Sequence, residues 1–335
     1  MQPVVKVGPA GDDSMSRDHV GHRDILRFAE ERVNLPQDKA LEYRAQAKRL
    51  REKLEGYLGE HPDFTLRKMI LSGSLAKGTA LRSLNDIDVA CYISGADAPH
   101  SVDALLTYLA ERLRKAFPNF SPDQVKPQTY SVTVSFRGTG LDVDIVPILY
   151  DGDPQWYGNL VSQDDGSFLE TSIPLHLEFA GKRKKAQPYH FAQVVRLVKF
   201  WARRQKQEVD GFRFKSFMIE MILAKLCDDG LDLSDYPEAL QHFFTYVATS
   251  GLRDRIAFSD YYPPSVISSF TDPMRIIDPV NAKNNVSRLY TTANMDLIVD
   301  AALDAGDAID AALAAPNKQL TVGYWQKVFG STFQV

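Results

Sequence analysis

The chain alternates between two hydrophobic periods, and the change from one to the other divides it. After Pro36, Leu41, Ala45, Leu50, Leu54 and Leu58 recur near helical spacing, and a proline suits a first helical turn, so a long amphipathic helix is predicted here. The run "FTLRKMILSG" alternates and then turns apolar, and "DIDVACYI" reads as a strand with Asp86 and Asp88 on one side. Between them lies a Gly-Ser turn and a short helix. Residues 100–117 again have helical spacing, and "TYSVTVSFRGTGLDVDIVPILY" gives two alternating runs around Arg137-Gly138-Thr139-Gly140, which is a hairpin signal. Its second strand sets Asp142 and Asp144 on one face and Val143 and Ile145 on the other, with Pro147 expected to interrupt regular pairing.

From about residue 175 the period is helical throughout, in "YHFAQVVRLVKFWARRQKQE", "FKSFMIEMILAKLCDDG", "NMDLIVDAALDAGDAIDAALAAP" and "LTVGYWQKVF". The predicted organisation is a disordered leader over residues 1–19, an α+β unit over 20–174 that includes the long N-terminal helix, and a helical unit over 175–335. Residues 1–14 are expected to be disordered, and Met15 is a candidate natural start.

Composition and charge narrow the classes. The formal net charge of −4 gives no general attraction to phosphate, so any nucleic-acid contact needs a local basic patch. The two cysteines, Cys91 and Cys227, lack metal or redox spacing and read as reduced core residues; His19 and His22 make a poor metal pair. No apolar run is long enough to span a bilayer and no hydrophobic signal core is present, so a cytoplasmic protein without a membrane partner is expected.

Three carboxylates on neighbouring strands are costly without cations, and oxygen donors of this kind suit Mg²⁺. Two such ions clamp an attacking hydroxyl and a leaving pyrophosphate, which is the chemistry of nucleotidyl transfer. The Gly-Ser turn fits it: Gly73 allows close backbone approach to a phosphate, Ser74 offers a hydroxyl, Lys77 a positive charge and the following helix its first N–H groups. Geometry alone leaves Asp142 and Asp144 as equal candidates for the third ligand.

The combination "GSLAKGT…DIDV…VDIVP" resembles the polymerase-beta-like nucleotidyltransferases, and within them the oligoadenylate synthetases and the bacterial cGAS/DncV-like (CD-NTase) enzymes. "VRLVKFWARR" with "FKSFMIEMILA", and "IIDPVNAKNNVSRL" further on, are similar to later segments of that family. "RFAEERVNLP…AKRLREKLEGYL", "SFLETSIPLHLEF" and "KQLTVGYWQKVFGS" look most like clade C (CdnC-type), a HORMA-associated branch of the CBASS anti-phage systems.

The resemblance implies an α+β, oligoadenylate-synthetase-like fold, with a mixed sheet and a C-terminal helical domain. It implies synthesis of a cyclic oligonucleotide messenger, cyclic tri-AMP, from ATP and other NTPs, with two Mg²⁺ ions or Mn²⁺ in their place. It picks Asp144 over Asp142, leaving Asp86, Asp88 and Asp144 as metal ligands and catalytic residues, and it places Gly73, Ser74, Lys77, Lys199 and Ser216 on the nucleotide. Arg196 and Arg203 share a helical face with Lys199 and could meet the same triphosphate. The implied partners are a HORMA-domain regulator with its AAA+ ring ATPase, duplex DNA as an activator at a basic surface, and a downstream effector that reads the product.

That basic surface is expected from Lys182 to Lys185 together with Arg203, Arg204 and Lys206. Tyr150, Tyr261 and Tyr262 are candidates for stacking on bases. A linear oligoadenylate synthetase and a template-independent RNA-tailing transferase share the catalytic chemistry and stay open. So do a catalytically dead nucleotide sensor and a docking role for the acidic helix carrying Asp296, Asp300, Asp304, Asp307 and Asp310.

Overall fold

The computed structural model describes residues 19–61, 66–84, 86–93, 99, 101–161 and 167–335; the expected leader lies outside them save for His19. Among the described residues no helix is long and apolar enough to cross a membrane.

Helix α1 (His22–Phe28) runs into a π-helical turn, Ala29–Val33, before α2 (Gln37–Glu60). Pro36 is the N-cap of α2, one position earlier than expected. The buried face of α2 is also turned from the expected one. Ala47, Leu50 and Leu54 are buried, whereas Leu41 and Ala45 are exposed, because Ala40, Tyr43 and Tyr57 lie on the packed face instead.

The sheet is built from β1 (Leu66–Leu71), β2 (Asp86–Ile93), β3 (Val125–Pro127), β4 (Val132–Phe136), β5 (Leu141–Leu149), β6 (Gly158–Val161) and β7 (Phe168–Thr171). Its order is β1-β2-β5-β4-β3, with β6 and β7 continuing from the last residues of β5. The predicted hairpin forms as β4–β5, antiparallel. Only β2 and β5 among these neighbours are parallel, and they are joined through α4 (Val102–Ala116), β3 and β4. Pro147 does not end β5, which stays in register with β2 through Leu149. On its other side β4 pairs as far as Ile145 and β6 begins at Ile148, so the missing N–H falls in a gap.

Side chains alternate across this sheet. Ile87, Val89 and Cys91 of β2, with Val143 and Ile145 of β5, face a core closed by Leu50 and Leu54 of α2 and by Leu105, Leu109 and Leu113 of α4. The opposite face carries Asp86, Asp88, Ala90, Asp144, Val146 and Ile148. That face holds the site.

The second half consists of α5 (Ile173–Ala186), α6 (His190–Glu208), α7 (Ser216–Asp228), α8 (Tyr236–Ser250), α9 (Thr292–Ala314) and α10 (Lys318–Phe329), with a two-residue parallel pair, β8 (Arg255–Ile256) and β9 (Arg275–Ile276). These helices share one core around Trp201, Phe243, Phe244 and Trp325, and Val20, Ile25, Phe28 and Val33 from the start of the chain pack into it. Phe28 packs on Phe329 and Phe333, with ring centroids 5.2 and 4.9 Å away. Both cysteines are reduced; Cys91 is buried and Cys227 half-buried.

Candidate active site

Parallel pairing places Asp86 beside Asp142 and Asp88 beside Asp144. One oxygen from each of Asp86, Asp88 and Asp144 lies within 4.8 Å of the others, and Asp142 is not in this group. The register therefore separates two aspartates that alternation leaves equivalent. Thr133, opposite Asp144 on β4, donates its hydroxyl to Asp144 Oδ1 at 2.5 Å.

Burial pushes the pKa of Asp88 up to about 6, with the charges of Asp86 and Asp144 adding to it and Lys77 and Lys199 opposing. Asp144 is raised as well, again mainly by burial, while the Thr133 hydrogen bond pulls the other way. Three hard oxygen donors, converging and short of positive charge, fit a divalent cation.

Gly73 opens α3 (Gly73–Lys77) directly over this cluster with φ +61°. A Cβ there would come within 2.8 Å of the Asp88 Cγ, so both the backbone conformation and the space require glycine. Ser74 sits inside α3, half-buried, and its carbonyl accepts from the Thr79 amide at 2.9 Å.

The expected cations are close by but already engaged. Half-buried Lys77 Nζ lies 2.7 Å from buried Glu220 Oε2, and Glu220 Oε1 also accepts from the Thr79 hydroxyl at 3.2 Å. Lys199, 8 % exposed, donates to the Thr79 carbonyl at 2.8 Å, and burial lowers its pKa. Arg196 donates to the Gly78 carbonyl at 2.5 Å and to Asn34 Oδ1 at 2.8 Å. Arg203 bonds Ser83, and Lys184 Nζ reaches the Lys77 carbonyl at 2.9 Å. Together these side chains brace the loop from α3 to β2. Ser216 is the exposed first residue of α7, and its neighbours Lys215 and Phe217 line the cavity in its place.

A cavity of about 330 Å³ opens beside Gly73, Lys77 and Asp88, with Ala90, Val146 and Ile148 of the same sheet face as its floor. Phe217 is its aromatic wall, lying under the Lys77 ammonium at 4.8 Å and edge-on to His176. None of Tyr150, Tyr261 and Tyr262 lines it. Tyr150 stacks on Trp156, and the hydroxyls of Tyr261 and Tyr262 donate to the carbonyls of Leu175 and Asp278. Sequence reasoning missed Glu220, a single acid in an apolar helix, and gave no role to Asp278 and Asn284, which lie in the flagged "IIDPVNAKNNVSRL" segment and line the cavity.

The expected basic strip is neutralised in part. Lys182 pairs with Glu178 and Asp260, Arg183 with Asp228 and Asp260, and Arg204 with Glu208. Lys185, Lys206 and Arg203, which bonds only Ser83, are its exposed remainder.

No protein-family model matches the chain. A cyclic AMP-AMP-AMP synthase from Escherichia coli (strain MS 115-1) is 71 % identical over 320 residues, covering 96 % of this chain and all of that protein. The CBASS oligonucleotide cyclase CdnC of Escherichia coli (strain KTE188) is 34 % identical over 316 residues, 92 % of this chain and 96 % of its own. The chain belongs to the CdnC-type CBASS oligonucleotide cyclases. Solved structures agree with the membership. E. coli MS115-1 CdnC with ATP superposes with a TM-score of 0.92 at 70 % identity, covering 95 % of this chain and all of that one. The same protein in complex with HORMA-deltaN gives 0.91 at 69 %, covering 96 % and 100 %. As a CdnC-type enzyme the chain is a nucleotidyltransferase, and its mixed sheet with helices behind it is the CD-NTase fold.

Proposed function

We propose that this CdnC-type enzyme joins ATP units into cyclic AMP-AMP-AMP as an anti-phage messenger, acting in the cytoplasm, where ATP is supplied. The observation that carries the reading is the convergence of Asp86, Asp88 and Asp144 on one face of two parallel strands beside the cavity. The 71 % identical relative, a cyclic AMP-AMP-AMP synthase, supports the product.

Asp86, Asp88 and Asp144 would hold two Mg²⁺ ions, or Mn²⁺, which would supply charge neutralisation at the reacting phosphates and ease loss of the hydroxyl proton. The chain's own groups do the rest. Gly73 lets the backbone of α3 approach a phosphate closely, and Ser74, Lys199 and Ser216 hold the triphosphate with Lys77 behind them, Lys199 leaving the Thr79 carbonyl and Ser216 turning inward from the start of α7 to do so. The acceptor ribose oxygen bonds to the α-phosphorus, the bond from that phosphorus to the bridging oxygen breaks, and pyrophosphate leaves. Asp144, its orientation set by Thr133, takes the hydroxyl proton and passes it to water. The last turn of the cycle joins the chain's own ends.

Two hydrophobic cores, one under the sheet and one among the helices, support a division of the chain near residue 174, with residues 20–33 packed on the helical side. A HORMA-domain protein as activating partner is supported by the complex of the 69 % identical CdnC. An AAA+ ring ATPase acting on that partner and an effector reading the product complete the reading. Duplex DNA as co-activator rests on exposed Lys185 and Lys206, so salt-sensitive DNA binding must weaken when both become Glu. The decisive experiment incubates purified protein with Mg²⁺ and each labelled NTP, with and without the HORMA protein and duplex DNA. Phosphatase treatment and mass spectrometry follow. A phosphatase-resistant species at the mass of a closed adenylate trimer is expected; only phosphatase-sensitive chains would make the enzyme a linear synthetase.

A further inference from the structure

The cavity beside Asp88 is largely apolar, lined by Ala90, Val146, Ile148, Leu160, Leu169 and Val286. A second set of polar groups enters it from α5 and from the loop after β9: His176, Asp278 and Asn284. Asp278 is 3 % exposed, and its carboxylate is surrounded by donors. Oδ1 accepts from the Val280 amide at 2.9 Å and lies 3.4 Å from His176 Nε2, while Oδ2 accepts from Asn284 Nδ2 at 3.0 Å. A carboxylate can only accept, so Asn284 must turn its NH₂ towards Asp278. Its carbonyl oxygen is then fixed as an acceptor, and among the described residues no side chain or amide donates to it. The His176 ring, its Nε2 proton directed at Asp278, holds the other oxygen of that carboxylate.

The lining also holds Ser72, Lys77, Thr171 and Lys215, so the acceptor is local: an aromatic ring seated on the apolar floor with its edge against Asn284 suits an N–H donor on that edge. Adenine has that donor in its 6-amino group. Guanine and hypoxanthine have an oxygen at position 6, which would set acceptor against acceptor in a desolvated site.

We propose that Asn284 selects adenine, its Oδ1 accepting a hydrogen bond from the 6-amino group, with Asp278 as the positioning residue that prevents the amide from flipping. This inference rests on the reading of the enzyme as an ATP-using cyclase and names the residue that makes it so.

The test compares ATP with inosine triphosphate, which has oxygen at position 6, and with purine riboside triphosphate, which has hydrogen there. Equilibrium binding and synthesis by the full-length enzyme are both measured. Wild type should favour ATP over the inosine analogue by about 100-fold or more and over the purine analogue by about tenfold. Asn284→Ala should lose affinity for ATP but not for inosine triphosphate, bringing the two within about threefold. Asp278→Asn frees the amide to turn and should raise use of the inosine analogue while leaving that of the purine analogue unchanged. Wild-type binding that ignores the group at position 6 would overturn the proposal without any variant having to fold. So would a folded Asn284→Ala enzyme that keeps its preference. If wild type binds ATP selectively yet yields no adenylate product, the cyclase reading fails and the base-selection inference stands on the binding result.

Discussion

The carboxylates of β2 and β5 and the cations of α3, α5 and α6 lie within one site and are treated in opposite ways by the fold. Asp86, Asp88 and Asp144 are pushed together with no cation of their own, so that Asp88 is held near a pKa of about 6. Lys77, Lys184, Arg196 and Lys199 each have a named partner: Glu220, or a backbone carbonyl between Lys77 and Thr79. The first arrangement costs stability and gains a cation site. The second satisfies buried charges and holds the loop that aims Gly73 at Asp88. Carboxylate repulsion is concentrated where chemistry occurs, while every cation of the support has a hydrogen-bond acceptor and one of them, Lys77, a carboxylate.

The largest expected effect is on the carboxylate side. Asp88→Asn should lower synthesis about 1,000-fold or more, because several kcal/mol of cation-borne stabilisation is lost. In cation-free buffer the variant should melt no lower than wild type, since a raised carboxylate pKa means that the ionised form was destabilising. A clearly lower melting temperature would abolish the contrast between the two sets of charges. On the supporting side, Glu220→Ala leaves the half-buried Lys77 ammonium without its partner and should cost about 3–5 kcal/mol, or roughly 10 °C by scanning calorimetry. A stability change under about 1 kcal/mol would mean that the brace is dispensable.

Gly73→Ala tests the junction between the two. The added methyl meets the Asp88 carboxylate, so displaced carboxylate geometry should reduce turnover about 100-fold, with a cost of about 1–3 kcal/mol in folding. The smallest effect is on pH. Below about pH 6 Asp88 is protonated in the cation-free enzyme, and a divalent ion must displace that proton to bind. Apparent Mn²⁺ affinity, followed by calorimetry in buffers of different ionisation enthalpy, should therefore fall about tenfold from pH 7 to pH 5 with proton release appearing at the lower pH. Affinity that stays level over this range would show that Asp88 is not a ligand.

Local patterning made the sheet half legible. Two-residue alternation marks β2, β4 and β5, and the Arg137–Gly140 turn joins the hairpin as expected. What patterning cannot supply is register between strands distant in sequence. Asp142 and Asp144 face the same way, and only the parallel pairing with β2 brings Asp144 to the cluster. The same limit explains α2, where a helical period was visible but Leu41 and Ala45 were assigned to the buried face. Cations are the least legible of all. Lys182, Arg183 and Arg204 read as a strip along the chain, yet each turns to an acidic partner that lies elsewhere in sequence or one turn away. Glu220 is the reverse case, a lone acid whose buried position in α7 is explained only once Lys77 and Thr79 stand beside it.

The packing of Phe28 against Phe329 and Phe333 also orders events at the ribosome. The sheet and α4 can close over their own core as soon as β7 has emerged, but the opening helix, which finds α6 and α8 first, cannot complete its packing until nearly the whole chain has been translated. Completion of the polypeptide is thus also completion of the packing around its first helix, and a nascent or truncated chain that ends before residue 329 leaves Phe28 without two of its aromatic neighbours.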